Sequence, residues 1–514
     1  MKTAAMEREV KLNVGLEFAL PDLTGVVKGV TESALPRAEL VAVYFDTPDR
    51  RLLRRGITLR HRRDRVDPAG GGTWTLKLPV EAAGPTLERN ELSWPGEMPA
   101  VPAEAIQLLR GVLRYAELGP IAELVTSRRR FEIRDPNGRR LAEVDDDTVA
   151  VMEGLKLAKR FREVEVELEA DDESLLDSVV SRLAAAGATR AKDGPKLARA
   201  LGAEPSSLRP KGPRHGRGST VAEVVTGVIG AGLDQLLRHE LGVRLSGDVE
   251  HVHQARVATR RLRSNLRTFG DVLDPAWTVR IRDELKWLGG ALGRVRDADV
   301  LAARLQAQAA EELTDADQRG FGRLQERLSG ERQDAYDALL AVLATERYID
   351  LIDELAAAPL PLRHGTQTGT SASMDPCQPA KKALIPLVRR PWRKLRRAVA
   401  DLDRRPSDQD LHQIRIKAKR LRYAAEALSV VVETPARRLS EAAADLQDVL
   451  GAHHDAVTAE TWLREAAATL ADSGGTLVAG ELITVQRHQQ ERLRQTWQQV
   501  WTSLNVRRLR RWLE

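Results

Sequence analysis

The feature that most constrains the fold is a change of hydrophobic periodicity near residue 200. Before it, apolar and polar side chains alternate in short runs separated by Gly, Pro and Asp, which is typical of β-strands. After about residue 220, apolar residues recur with the 3.6-residue period of an α-helix. One hydrophobic core rarely serves 514 residues. We therefore predict two domains of different secondary structure.

The strand-like part carries charge on one parity of most strands. Glu7, Glu9 and Lys11 alternate with Val10 and Leu12. A solvated outer face would explain this pattern in one strand, but its recurrence indicates one strongly charged sheet face. The predicted strands are 7–14, 42–47, 57–63, 73–80, 87–94, 128–135, 139–151 and 161–170.

A segment rich in Pro, Gly, Ser and basic residues, 203–219, predicts a linker between domains 1–202 and 220–514. A second polar break, 359–380, divides the helical part. The predicted helices are 220–242, 250–270, 276–310, 316–357, 381–402, 408–431, 435–471 and 475–512.

The helical part contains an internal repeat, about 220–358 and 381–512. Residues 253–263 match 412–422 without a gap at an offset of 159, and 292–298 match 450–456 at an offset of 158. Duplication of a whole multi-helix unit predicts two pseudo-symmetric helical bundles.

Each repeat carries a basic stripe on one helix face. Net charge is −1 for residues 1–200 and +7 for the remainder. No Asp or Glu occurs from His251 to Gly270 or from Leu411 to Ala425, so the stripes lack the acidic partners of an ordinary solvated face. We predict a positive groove that holds phosphate oxygens, formed by His253, Arg256, Arg260, Arg263, His412, Arg415, Lys419 and Arg422.

Other ligands fit these stripes less well. Arginines beside the histidines would repel a metal cation, and Asp297, Asp299 and Asp455 are expected to pair with the stripe arginines rather than bind metal. No aromatic residue interleaves the stripes before Phe269 and Tyr423, which disfavours nucleic acid.

The paired H-x-x-R-x-x-x-[RK]-R-x-R segments, with the later R-D-A-D and H-H-D-A pieces, resemble the CHAD family over about 220–512. This resemblance implies binding of inorganic polyphosphate. The N-terminal motifs E-x-E-x-K at 7–11, Y-F-D-T at 44–47, L-R-H-R at 59–62 and E-V-E-V-E at 163–167, in that order, resemble the CYTH family of triphosphate tunnel metalloenzymes over about 6–200.

The CYTH resemblance implies an eight-stranded antiparallel β tunnel (barrel) with flanking helices, so the fold class is two-domain α+β. Glu7, Glu9 and Lys11 would form the catalytic centre. Asp145 is preferred within 145–147 because it shares the parity of Glu143. The implied ligands of Mg²⁺ or Mn²⁺ are Glu7, Glu9, Asp145, Glu165 and Glu167. The implied phosphate-binding residues are Lys11, Arg60, Arg62, Lys77, Arg89, Arg128, Arg130 and Lys196.

These resemblances together imply a metal-dependent triphosphatase that also binds polyphosphate. A non-enzymatic polyphosphate-binding protein and an adenylate cyclase remain alternatives, and the substrate stays open among triphosphate, polyphosphate, ATP and thiamine triphosphate. A single cysteine, Cys377, and no long apolar stretch favour a cytoplasmic protein without a membrane anchor, with association to polyphosphate granules as a further expectation. Oligomeric state is left open.

Overall fold

The computed structural model describes residues 3–66, 71–79, 87–169, 173–191, 196–202, 218–357, 360–362, 374–470 and 473–514, and the side chains of 3–8 and 87–89 lie outside this description. Most of the predicted linker 203–219 and of the break 359–380 lies outside the described residues. The chain divides into two compact units, Met1–Lys211 and Gly212–Glu514.

The first unit is built on an antiparallel sheet. Its strands are β1 (Thr3–Val14), β2 (Thr31–Asp46), β3 (Thr58–Asp64), β4 (Thr73–Pro79), β5 (Leu87–Pro95), β6 (Gly119–Arg134), β7 (Arg140–Glu153), β8 (Lys156–Leu168) and β9 (Thr189–Arg190). The strand order is β5-β4-β3-β2-β6-β7-β8-β1-β9, with a further pairing between β5 and β1.

The prediction of eight strands in a closed barrel is wrong in two respects. A ninth strand, Thr189–Arg190, pairs with Leu12 and Asn13. The two halves of β1 also pair with different neighbours, because Thr3–Glu9 lies against β5 and Glu9–Val14 lies against β8. Within the described residues only Glu9 joins both neighbours, so the sheet curls around a cavity without closing over its full height.

Side-chain parity decides which sheet face is outside. Val10 and Leu12 of β1 pack with Val166 of β8 against Leu175 and Val179 in an outer apolar cluster. The last two residues belong to α2 (Glu173–Ala185), and the unit also contains α1 (Ala103–Leu113) and α3 (Lys196–Ala200). Because successive side chains of a strand point to opposite faces, the charged parity of these strands faces inward.

The second unit is helical, which with the antiparallel sheet confirms the α+β class. Its helices are α4 (Val221–Ser246), α5 (Val249–Thr268), α6 (Pro275–Glu312), α7 (Gln318–Leu343), α8 (Glu346–Ala356), α9 (Ala380–Ala383), α10 (Ile385–Ala400), α11 (Asp408–Val432), α12 (Thr434–Thr469), α13 (Ser473–Leu504) and α14 (Arg507–Arg510). Consecutive helices pack in two runs, α4 to α7 and α10 to α13, and α5 contacts α11 between the runs.

Local signals set the helix starts. Thr220 and Glu223 form a capping box at α4, and Ser407 and Asp410 form one at α11. The single helix predicted over 316–357 is wrong, because Thr345 accepts a hydrogen bond from the amide of Tyr348 and starts a new helix there. None of the helices in the described part of the chain is long and apolar enough to cross a bilayer.

Candidate functional site

The inward-facing charges of the sheet line a cavity of about 290 Å³, here called the tunnel cavity. Its lining is polar and carries both signs of charge. The lining residues are Glu9, Lys11, Tyr44, Thr58, Arg60, Arg62, Lys77, Glu91, Arg128, Arg130, Glu143, Asp145, Glu165, Glu167 and Lys196. Every predicted phosphate-binding or metal-binding residue whose side chain is described lies in this set.

The two remaining predicted residues, Glu7 and Arg89, have side chains outside the described residues. Their backbones are paired with each other across β1 and β5. The roles predicted for the whole set stay predictions, because placement in a cavity does not by itself assign a role.

One wall of the tunnel cavity is basic. Arg60 and Arg62 alternate along β3, and Lys77 of β4 forms an ion pair of 3.0 Å (Nζ to Oε2) with Glu91. The neighbouring charge of Arg60, then burial and the charge of Arg128, lower the pKa of Arg62 to about 10. A guanidinium with a depressed pKa lies among excess positive charge, so this wall is suited to an anion.

The opposite wall mixes acids with two buried lysines. Lys11 Nζ lies 3.2 Å from Glu9 Oε1 and also contacts Glu165. Lys196 lies 3.1 Å from Glu163 and 3.7 Å from Glu165. Burial opposes ionisation of Glu165, but the charges of Lys11, Lys196 and Arg128 hold its pKa well below its usual range. Glu165 is therefore an anion already balanced by cations of the chain.

The side chains of 145–147 show which carboxylate faces the cavity. Asp145 lines it, whereas Asp146 faces the other way and accepts two hydrogen bonds of 2.8 Å from Arg162. Asp147 is fully buried and accepts hydrogen bonds of 2.8 and 2.7 Å from Arg128. Asp145 was the predicted inward residue, and the structure places it there.

Asp145 contacts the Arg128 guanidinium through Oδ2, yet the pKa of its carboxyl is raised. Burial raises its pKa to about 7 against the attraction of Arg128, and the charges of Asp147 and Glu165 add to the rise. Its Oδ1 is buried and accepts no hydrogen bond from the described residues. A carboxyl group kept from ionising in this way would gain from a nearby cation.

Strand register adds a second sign of cation binding. Glu9 lies directly opposite Glu167, and Asp145 lies opposite Glu165. Like charges opposed across two strands repel each other, and carboxylate oxygens are the ligands that Mg²⁺ and Mn²⁺ prefer. No three described His, Cys, Asp or Glu side chains converge as a ready metal cluster, but the donor chemistry and the unsatisfied Asp145 oxygen fit a hard cation.

Sequence analysis missed four residues of the tunnel cavity as site residues. Thr58 precedes Arg60 by two positions, so strand parity could have placed it. Glu91 follows Arg89 by two positions, so strand parity could have placed it as well, and it lies opposite Lys77 across β4 and β5. Glu143 shares the parity of Asp145, and Tyr44 comes from β2, two positions before Asp46 in the Y-F-D-T motif.

The helical unit contains a second polar cavity of about 360 Å³, here called the basic groove. Both repeats contribute to it, since α5 and α11 supply their stripe residues and α6 and α12 supply the segments that follow. Its charged and polar lining residues are His253, Arg256, Arg260, Arg296, Asp297, Arg304, Arg415, Lys419, His454, Asp455 and Thr458.

Five of the eight predicted stripe residues line the basic groove, and three do not. His412 lies behind it, with its ring centroid 4.4 Å from that of His454. Arg263 is exposed further along α5. Arg422 donates a hydrogen bond of 2.7 Å to Glu426, one residue beyond the acid-free segment, and so has the acidic partner that the stripe was predicted to lack.

The three aspartates predicted to pair with the stripe arginines do so only in part. Arg256 Nη1 donates to Asp297 Oδ1 at 2.7 Å, as expected. Asp455 shares the groove with Arg415 and Arg304, whose charges oppose the rise in its pKa caused by burial. The prediction for Asp299 is wrong, because it accepts a hydrogen bond of 2.6 Å from Arg332, which is not a stripe residue.

Positive charge in the basic groove exceeds negative charge. Burial first, then the charges of Arg415, Arg260 and Arg256, lower the pKa of Lys419 to about 7. Burial and the charge of Arg415 lower the pKa of His454 to about 4. Bases lose protons in this way when anions are scarce around them, so the groove is electrostatically prepared for an anionic ligand.

Arg296 and His454 were missed as groove residues although the repeat marks them. The offset of 158 that aligns 292–298 with 450–456 places His454 at the position of Arg296. Both lie on helices that follow the stripe helices and return to the same cavity. The matched sequence pieces were therefore a usable signal for site residues.

Family comparisons agree with this division of the chain. Residues 5–201 match the CYTH domain, and residues 227–464 match the CHAD domain. An uncharacterized protein of Mycobacterium tuberculosis is 34% identical over 484 residues, which covers 89% of this chain and 88% of that protein.

Solved structures resemble single parts of the chain. PptA from Streptomyces chartreusis is 26% identical, with 55% of this chain and 100% of that chain covered and a TM-score of 0.45. The CHAD domain from the plant Ricinus communis is 24% identical, covering 58% and 96%, with a TM-score of 0.46. A putative adenylyl cyclase from Hippeastrum, described as having a dominant triphosphatase activity, is 15% identical, covering 38% and 97%, with a TM-score of 0.25.

The two matched domains follow one another along the chain, and the relative from Mycobacterium tuberculosis aligns across both. The tunnel cavity lies in the first domain and the basic groove in the second. The chain thus belongs to the proteins in which a CYTH domain of the triphosphate tunnel family, a family that binds triphosphates and generally uses divalent metal ions, is fused to a CHAD domain.

Proposed function

We propose that the CYTH domain hydrolyses inorganic triphosphate or a related short chain with a divalent cation, and that the CHAD domain binds inorganic polyphosphate. The observation that carries the first part is a single cavity with a basic wall of Arg60, Arg62 and Lys77 facing carboxylates that include Asp145. This pairing of charges supports simultaneous binding of phosphates and of cations.

Positioning and charge neutralisation would drive the reaction. The guanidinium groups of Arg60, Arg62 and Arg128 would hold the phosphate oxygens and orient the chain along the cavity. Lys11, which lies between Glu9 and Glu165, would stabilise charge that develops on the transferred phosphate. A divalent cation bound at the acidic wall would supply further charge neutralisation and activation of an attacking water. No protein nucleophile is needed.

Phosphate release from inorganic triphosphate in the presence of Mg²⁺ or Mn²⁺ tests this proposal. Glu9→Gln should abolish release, because it removes a cavity carboxylate, whereas Glu153→Gln changes an exposed residue of β7 and should leave release intact. Equal release by both variants would contradict a role for the cavity. The same assay with ATP separates the cyclase alternative, which would yield pyrophosphate and a cyclic nucleotide.

The second part of the proposal is supported by the excess cations of the basic groove. Long-chain polyphosphate should bind to the whole protein in a salt-sensitive way, and a combined Arg256→Gln and Arg415→Gln variant should lose most of this binding while keeping phosphate release in the tunnel cavity. A protein that binds polyphosphate but releases no phosphate would instead support the non-enzymatic alternative. Cytoplasmic location on polyphosphate deposits belongs to this proposal.

A further inference from the structure

The pseudo-symmetry of the two stripe helices breaks at one pair of positions. Arg261 of α5 forms an ion pair with Glu426 of α11, 3.5 Å from Nε to Oε2. The offset of 159 maps Arg261 onto Arg420 and Glu426 back onto Arg267. The repeat therefore relates the ion pair Arg261–Glu426 to the pair Arg420 and Arg267, two residues of like charge.

These two arginines line a cavity of about 200 Å³ at the α5–α10–α11 junction. Lys394 and Lys417 line it as well, and we call Arg267, Lys394, Lys417 and Arg420 the basic corner. None of the four has a hydrogen bond or ion pair with an acid among the described residues. The acid of this cavity, Asp271, is already paired with Arg390 at 2.9 Å.

Arg282 of α6 adds a fifth positive charge beside the basic corner. Its Nε is buried and donates to no acceptor among the described residues. Burial, then the charges of Arg267 and Arg263, lower its pKa, and Asp283 only partly opposes them. An ordinary solvated basic face would not retain a buried unsatisfied guanidinium nitrogen next to unneutralised arginines.

The basic corner continues from the basic groove. Arg256 and Arg260 line the groove, and the same face of α5 leads through Arg263 to Arg267. Arg267 lies eleven positions after Arg256, which corresponds to roughly 16 Å along the helix. An anionic chain that leaves the groove along this face therefore meets a cation at each step.

We propose that the basic corner is a second anion-binding site of the helical unit, which takes a phosphate group of an oligophosphate or polyphosphate. The choice of phosphate as the ligand rests on the proposed binding of polyphosphate, whereas the proposed hydrolysis of triphosphate is not needed. Both repeats contribute to the basic corner. At the position related to it by the repeat, Glu426 forms an ion pair with Arg261 instead.

Binding of tripolyphosphate and of long-chain polyphosphate to the whole protein tests the site. Arg267→Glu restores the ion pair found between Arg261 and Glu426, so it should fold at least as stably as the parent, which a thermal melt checks. Its affinity for the long chain should fall about tenfold or more, the size of one charge-assisted hydrogen bond. The control Arg319→Glu makes the same charge change at an exposed position of α7.

The two ligands distinguish a phosphate group within a long chain from a free oligophosphate. The variants distinguish binding in the basic groove from binding at the basic corner. Loss for the long chain alone indicates a chain continuing from the groove, and loss for both ligands indicates an independent site. If Arg267→Glu binds both ligands like Arg319→Glu, the basic corner is not a site. If Arg256→Gln with Arg415→Gln changes nothing while Arg267→Glu still weakens binding, the proposed groove function fails and the corner stands.

Discussion

Arg256 of the first repeat donates a hydrogen bond of 2.7 Å to Asp297, although both residues line the groove proposed to bind an anion. Asp297 is well exposed, with 67% of its side chain accessible, and Arg256 is 30% accessible. An ion pair at such exposure stabilises the fold by no more than about 1 kcal/mol. Its main effect is to place one negative charge where a polyanion would lie.

We expect Asp297→Asn to tighten polyphosphate binding. Removing the charge frees Arg256 and eliminates a repulsion, and a gain of roughly fivefold corresponds to about 1 kcal/mol. Titration of long-chain polyphosphate at fixed salt measures the effect. Asp334→Asn, an exposed change on α7 with the same loss of charge, is the control. Weaker binding by Asp297→Asn would show instead that this carboxylate orients Arg256 for the ligand.

Polyphosphate affinity should depend on pH through Lys419, whose pKa is lowered to about 7. A bound polyanion favours the protonated amine, so affinity should rise as the pH falls from 8.5 to 6, with uptake of protons on binding. Lys419→Arg, which stays charged throughout, should bind with a flatter pH profile. A profile unchanged by this substitution would contradict the role of Lys419.

The same depressed pKa affects folding. An unfolded chain holds the Lys419 proton up to its ordinary pKa of about 10.4, whereas the folded chain releases it near 7. The unfolded state binds more protons between these values, so stability should increase with pH across that window. Thermal melts from pH 7 to 10 of the parent and of Lys419→Met, which lacks the titrating group, measure the difference. If the melting midpoints of the parent and of Lys419→Met changed with pH in parallel, Lys419 would not contribute to the pH dependence of stability.

Arg62 should lower the stability of the ligand-free protein while it supports ligand binding. Arg60, burial and Arg128 lower the pKa of Arg62 to about 10, so Arg62→Gln relieves repulsion. A relief of about 1 kcal/mol raises the melting midpoint by about 2–4 °C for a domain of this size.

Triphosphate should in turn stabilise Arg62→Gln less than the parent, and KM should rise. Arg63→Gln changes the next residue of β3, which is exposed, and serves as the matched control. A midpoint lowered by Arg62→Gln without ligand would show that Arg62 has a structural partner stronger than the repulsion.

Lys196 should be needed for folding as well as for ligand binding. Its amine lies 3.1 Å from Glu163 and contacts Asp147, which is fully buried. Loss of one partner from a buried ion pair costs about 3–5 kcal/mol. Urea unfolding of Lys196→Met should show a loss of this size, whereas Lys156→Met, at an exposed position, should not. An unchanged midpoint would mean that the carboxylates of 147 and 163 are neutralised in another way.

Much of the architecture follows from the sequence alone. Period-two alternation located eight of the strands, although 42–47 and 128–135 cover only the ends of β2 and β6. The 3.6-residue period predicted most of the helices. Strand parity placed the charges on one sheet face, because a side chain's face depends only on its position along its own strand. The resemblance to the CYTH family implied that this face, with Arg60 and Lys77, lines a tunnel. The repeat predicted that two basic helices share one groove. These properties are local, or repeat a local pattern.

Only the tertiary structure decided which charges are neutralised and where the sheet ends. Arg422 is paired because Glu426 lies beside it, and the pKa of Asp145 depends on Arg128 and on the carboxylates near it. The incomplete closure of the sheet results from the division of β1 between β5 and β8. Ion pairing falls off with distance and burial, and both are set by packing between segments far apart in the chain. The sequence therefore determined the elements and their charged faces, while the pairing of those charges was decided by their register and contact in space.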